Sequence, residues 1–178
     1  TTDFHMGPWE SIRSIYPACW GYCSWANRDE SAKSYKEREL INNLIGTVAS
    51  GGQFAYNIGP KGDGTIDAFD SGVVTEVGQW MVRHPDAITG ARPTWYPAPN
   101  WGKVMTKGND LYFFPELWSP GKTLTLPSVG GHVTAVTVDG TDRSLEFTQD
   151  GTTLTVTMSG ENPEPNLRPV VKVTFDSA

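Results

Sequence analysis

Several features that mark specialised protein classes are missing from this chain. Its 178 residues hold no tract of Lys or Arg and no apolar run of 18 residues. The first lack argues against a phosphate backbone as partner, because such binding draws its affinity from clustered cations. The second leaves no segment long enough to cross a bilayer as a helix. The balance is acidic, with 14 Lys and Arg against 20 Asp and Glu for a net charge of −6. The excess is shared evenly: 8 basic and 11 acidic residues up to position 93, then 6 and 9 after it.

Cysteine is scarce, with only Cys19 and Cys23. Two residues are too few for a zinc site or a disulfide framework, and both a local disulfide and two packed thiols stay open. The histidines His5, His84 and His132 are scattered, so neither a metal cluster nor a Ser-His-Asp triad is visible. The glycine-rich stretch from Gly51 to Gly64 has no Gly-Lys-Ser/Thr and no dinucleotide fingerprint, and reads as a strand-to-helix loop. Asp63, Asp67 and Asp70 are not spaced like an EF-hand loop, and Asp67 is better used as a helix cap. There is no Asn-x-Ser/Thr sequon, and the chain opens on Thr1 without a leader pattern, so any targeting signal is expected to lie outside it.

Aromatics are plentiful by contrast, at 11% with seven Trp. Phe4, Trp9, Tyr16, Trp20, Tyr22 and Trp25 all fall within the first 25 residues, where Asp3 and Glu10 are the only acids. A carboxyl held against rings loses solvation and keeps its proton nearer neutrality, as a general acid beside a sugar requires. The plainer role for Glu10 is a cap or a surface ion pair.

The first half alternates helix and strand. Ser34-Tyr35-Lys36-Glu37 has capping-box spacing, and Leu40, Ile41, Leu44, Ile45 and Val48 follow on one stripe. Gln53 to Ile58 reads as a buried strand, and a second helix is expected after Asp67, stopping near His84-Pro85. This is the rhythm of a parallel α/β fold, but with too few strands to close a barrel. After Arg92-Pro93 the pattern changes to short β-rich runs at 110–114, 123–126, 133–138, 154–158 and 170–175, with turn signals at Gly108-Asn109, Asp139-Gly140 and Asp150-Gly151. An antiparallel β-sandwich follows from that pattern.

Three ordered motifs, "PWESIRSIYPACWGY", "ELINNLIGTVASGGQFAYNIGPKGDGTI" and "VGQWMVRHPDAITGARPTW", resemble the α-L-fucosidases of glycoside hydrolase family 29. Gln53 stands where Asn is common in that family, and Thr89 where Tyr is common. The resemblance implies an α/β plus all-β fold class: residues 1–93 as the last part of a (β/α)8-like catalytic barrel, and 94–178 as its C-terminal β-sandwich. It implies cofactor-free removal of terminal α-L-fucose with retention, from a fucosylated glycan or glycoside. Glu10 takes the place of the general acid/base, and Trp20 that of a pocket wall. The family's nucleophilic aspartate and sugar-gripping histidines lie well upstream of the Trp-Glu motif, and Asp3 does not match that nucleophile. The resemblance therefore implies that the barrel is completed by an N-terminal part, carried by a companion chain or by sequence outside this one. Two other classes are open: a non-catalytic carbohydrate-binding or structural module using Trp95 or Trp101, and a self-sufficient miniature hydrolase.

Overall fold

In the computed structural model, which describes residues 7–176, helix α1 spans Glu30–Val48. It begins four residues ahead of the expected Ser34–Glu37 box. The start is set by Asp29 in extended conformation, with Ala32 N–H donating to Asp29 O and Asn27 Oδ1 accepting from Asp29 N–H. Ser34 and Glu37 therefore lie inside the helix, where burial pushes the Glu37 carboxyl above its ordinary range. The apolar stripe is as the spacing predicts, with Leu40, Ile41, Leu44 and Ile45 buried and Val48 half-buried.

The chain divides into two compact units, with the break between Val82 and Arg83. In the first, strand β1 (Glu10–Ser14) pairs in parallel with β2 (Gln53–Asn57), with α1 as the crossover between them. Register runs from Glu10↔Gln53 to Ser14↔Asn57. Side-chain alternation then puts Glu10, Ile12 and Ser14 on one face with Gln53, Ala55 and Asn57. The apolar run in β2 is only half-buried and Ile12 is exposed, since this sheet has two strands among the described residues. Helix α2 (Ala68–Arg83) follows, and Asp67 caps it by accepting from Phe69 N–H at 3.0 Å. Val73, Val77 and Trp80 form its buried stripe.

The second unit opens with a short helix, α3 (Pro85–Ile88), and strand β3 (Arg92–Pro93). A five-stranded sheet in the order β3-β4-β5-β10-β7 uses β4 (Gly102–Lys107), β5 (Asp110–Pro115), β7 (Val133–Val138) and β10 (Val171–Phe175). A three-stranded sheet in the order β6-β9-β8 holds β6 (Thr123–Leu126), β8 (Phe147–Asp150) and β9 (Thr153–Thr157). All of this unit's pairings are antiparallel, and one aliphatic core with Phe113 at its centre is shared between the sheets. Residues 83–93 belong here rather than with the α/β half, because Arg92 and Pro93 pair with Thr106 and Met105.

Two details depart from simple alternation. Val133 and Val136 are both buried although three apart, because Thr134 is an extra residue between the pairs Val133↔Phe175 and Ala135↔Thr174. Asp139-Gly140 turns the chain back along the end of β7, where Val138 N–H donates to Arg143 O and Thr137 bridges Ser144, before it crosses to the three-stranded sheet. That corner is pinned by His84, whose Nδ1 lies 2.7 Å from Asp139 and Nε2 3.3 Å from Glu164, while Arg83 grips Glu164 through two nitrogens. Burial alone would lower the His84 pKa, but the two carboxylates outweigh it and hold the imidazolium above its ordinary value.

Candidate active site

The functional reading of the first motif depends on which ends of β1 and β2 carry the loops. Parallel strands place both outgoing loops on the same side, and here those loops are locked together. Asn57, the last residue of β2, donates from Nδ2 to Ser14 Oγ at 3.1 Å and to Trp20 O at 2.8 Å. Ser14 Oγ in turn donates to Cys19 O, and Ile15 N–H to Asn57 O. Cys19 and Cys23 are joined as a disulfide, which resolves the open choice between bridge and free thiols. At Gly59 any side chain would collide with the backbone of Gly21, so glycine is required for the two loops to meet.

Behind this clamp sits a charged support. Asp70 is buried and accepts from Tyr16 OH at 2.8 Å and from Arg28 Nε and Nη2 at 3.2 Å each. Arg28 also donates to Cys23 O at 2.7 Å, and its guanidinium stacks between the Tyr16 and Tyr22 rings. Burial opposes the Arg28 charge, but Asp70 prevails and raises its pKa. Burial, then the hydrogen bond to Asp70, pushes the Tyr16 hydroxyl well up. The Phe69 N–H, followed by Lys61 and Arg28, holds the Asp67 carboxyl below its ordinary range. Asp63 accepts from Thr65 N–H and Oγ1. Each of the three aspartates is thus committed to its own protein contacts.

Trp20 stands on this clamp at 62% exposure, and Trp25 at 71% lies just beyond the disulfide. Both are presented at the C-terminal ends of the strands. Glu10 is not. It opens β1 four residues before Ser14, roughly 13 Å away at the usual strand rise. It is exposed on the described residues, and Trp9 beside it lays its indole flat on Gly52, where even a Cβ would come within 2.6 Å of the ring. The aromatics that crowd the first 25 residues in sequence therefore separate in space: Trp9 with Glu10 at one end of the strands, and Tyr16, Trp20, Tyr22 and Trp25 at the other. Asp3, Phe4 and His5 lie outside the described residues. Sequence reasoning missed Ser14, Asn57 and Arg28, and it weighed Asp70 only as a calcium ligand. The one signal for any of them is the polar Asn that ends an otherwise apolar strand.

A family model for α-L-fucosidases matches residues 1–86. The tissue α-L-fucosidase of Rattus norvegicus is 30% identical over 148 residues, covering 80% of this chain and 31% of that protein. The chain belongs to the α-L-fucosidase family. It spans about a third of the length of the curated fucosidases it matches. Among solved structures, the α-L-fucosidase from Vibrio sp. strain EJY3 superposes with a TM-score of 0.86 at 23% identity, over 99% of this chain and 31% of that one. A covalent intermediate of the Bacteroides thetaiotaomicron α-L-fucosidase, trapped with 2-fluoro-fucosyl fluoride, gives a TM-score of 0.78 at 21% identity, over 96% and 38%. These likenesses establish that the fucosidase fold extends through the β-sandwich.

Proposed function

We propose that this chain is the C-terminal portion of a retaining exo-α-L-fucosidase, in which β1, α1, β2 and α2 close a (β/α)8-like catalytic barrel and the sandwich follows it. The observation that carries the reading is the parallel β1–β2 pair crossing through α1, with its loops clamped at one end, inside the span that matches the family. Active sites of such barrels lie at the C-terminal ends of the strands. Trp20 then stands on the substrate side as a wall for the sugar.

Retention requires two carboxyls about 5–5.5 Å apart, one attacking the anomeric carbon and one moving the proton. The trapped Bacteroides intermediate supports a covalent route for enzymes of this fold. The nucleophile comes from the N-terminal part of the complete protein. In the motif-based assignment, Glu10 protonates the leaving oxygen and then deprotonates the water that releases fucose. Strand polarity favours a second reading for this residue alone: Glu10 enters at the opposite end from the loops, so it serves as a floor carboxylate and the proton shuttle lies elsewhere.

Glu10→Gln in the complete enzyme decides between the two. As proton shuttle, its loss lowers kcat/KM on unactivated fucosides by about 10²–10⁴, and azide restores turnover of 4-nitrophenyl fucoside. As a floor residue, it leaves kcat/KM within about tenfold, azide has no effect, and the thermal midpoint falls instead. The fragment reading fails if the 178-residue chain hydrolyses the fucoside by itself.

A further inference from the structure

The five-stranded sheet is wider than the three-stranded sheet that covers it, so part of its inner face must be closed by something else. Cross-strand register puts Arg92, Thr106 and Leu111 in one row on that face, and the row runs on to Val173 and Val136 in the core. At its outer end the chain from Thr94 to Pro97 leaves a groove of about 630 Å³ walled by Arg92, Thr94, Trp95, Tyr96, Thr106 and Ser128. A second hollow of about 270 Å³ shares Tyr96, Thr106 and Leu111 and extends to Asn109 and Asp176. The two make one trough with Tyr96 and Thr106 at its middle.

The lining chemistry is specific. Trp95 is 92% exposed at the rim, whereas Tyr96 is packed against the core and held in place. Thr94 and Thr106 donate their hydroxyl protons to Val104 O and Asp110 O, so each oxygen offers only lone pairs outward. The Arg92 guanidinium and the Asn109 amide supply donors. Flat indole, preset acceptors and two side-chain donors match the apolar face and hydroxyl rim of a pyranose. Ser128, on the wall, is the one non-glycine residue with positive φ (62°) among the described residues, a backbone state that tends to occur where a ligand is held. Trp101, the other tryptophan considered for this role, is excluded: its ring packs 5.0 Å from Phe113 and its Nε1–H donates to Thr125 O.

We propose that this trough is a saccharide-binding site for neutral oligosaccharides of two or three pyranose units, with Trp95 as the stacking platform. It is built wholly from the sandwich unit and does not rest on the fucosidase reading. The test is a titration of the 178-residue chain with lactose, N-acetyllactosamine and chitobiose, followed by ¹H–¹⁵N NMR. At least one should bind saturably with a Kd on the order of 1 mM, with shifts confined to residues 92–97, 106–111 and 128–131. Trp95→Ala should weaken that binding about tenfold or more. Thr106→Val, which keeps the side-chain shape, should weaken it about threefold. Absence of saturation by all three sugars, shifts that map elsewhere, or Trp95→Ala binding within twofold of the parent would overturn the site. So would a complete protein in which Trp95 is shielded from acrylamide and no sugar binds, since the rest of the chain would then fill the trough.

Discussion

The two units solve the same problem of burial in unequal ways. The sandwich buries most of its inner faces against each other: both sheets face one core, and Phe113, Leu126, Leu154, Val138 and Val171 are fully buried there. The N-terminal unit has a two-stranded parallel sheet with α1 packed against β2, and Ile12 is left at 52% exposure. A parallel sheet ordinarily needs cover on both faces, whereas an antiparallel pair of sheets supplies its own. What steadies the N-terminal unit is consequently more polar. Its main cross-ties are the Asp70 hub, the Asn57 clamp and the Cys19–Cys23 bridge. The contrast is between a unit tied by polar contacts and one held by a continuous apolar core.

The comparison breaks most sharply at Phe113. Phe113→Ala should cost about 4 kcal/mol through lost burial and a cavity, with faster amide exchange throughout β4–β10 and little change in α1. Equal acceleration in α1 would mean that the units unfold as one, and the contrast would fall. Asp70→Ala should cost about 3 kcal/mol, because Arg28 is left charged beside a vacated buried partner. Exchange should then rise through residues 7–82 and not in the sandwich. A change confined to the exposed loop tip would show that the hub supports nothing beyond its own contacts.

The smallest effect concerns pH. The folded state holds the His84 proton more tightly than the unfolded chain does. Its contribution is therefore fully present below about 6.5, the ordinary histidine value, and is lost as pH rises through the higher folded value. Glu164 runs the other way: its lowered carboxyl pKa stabilises above the ordinary glutamate value and is lost on acidification. The sandwich should be most stable between these limits and weaken from neutral toward alkaline pH, as read from urea midpoints. His84→Gln should flatten the alkaline side of that curve, and an unchanged slope would remove the imidazolium from the account.

Much of the scaffold was legible along the chain. The Leu40–Ile45 stripe, Asp67 as a cap and five of the sandwich strands follow from periodicities of 3.6 and 2, which depend only on near neighbours. The start of α1 was not, because the Ser34–Glu37 spacing imitates a cap that the chain does not use. Strand β4 was missed for a related reason: "GKVMTK" mixes charge and small residues, and it is recruited by pairing on both sides with β3 and β5. The domain break moved from residue 93 to Val82–Arg83 because a two-residue strand and one histidine tie the intervening segment to partners at least ten residues away.

By itself, the order of residues determined the family, the helix–strand–helix rhythm followed by a sandwich, and the presence of one acid among many rings. Only the folded chain decided where that acid stands. Closeness in sequence is set by covalent bonds, but a strand of five residues carries its two ends roughly 13 Å apart. Glu10 and Trp20, neighbours in the motif, were thus sent toward opposite ends of the sheet, while Asn57 and Trp20, 37 positions apart, were brought into a hydrogen bond.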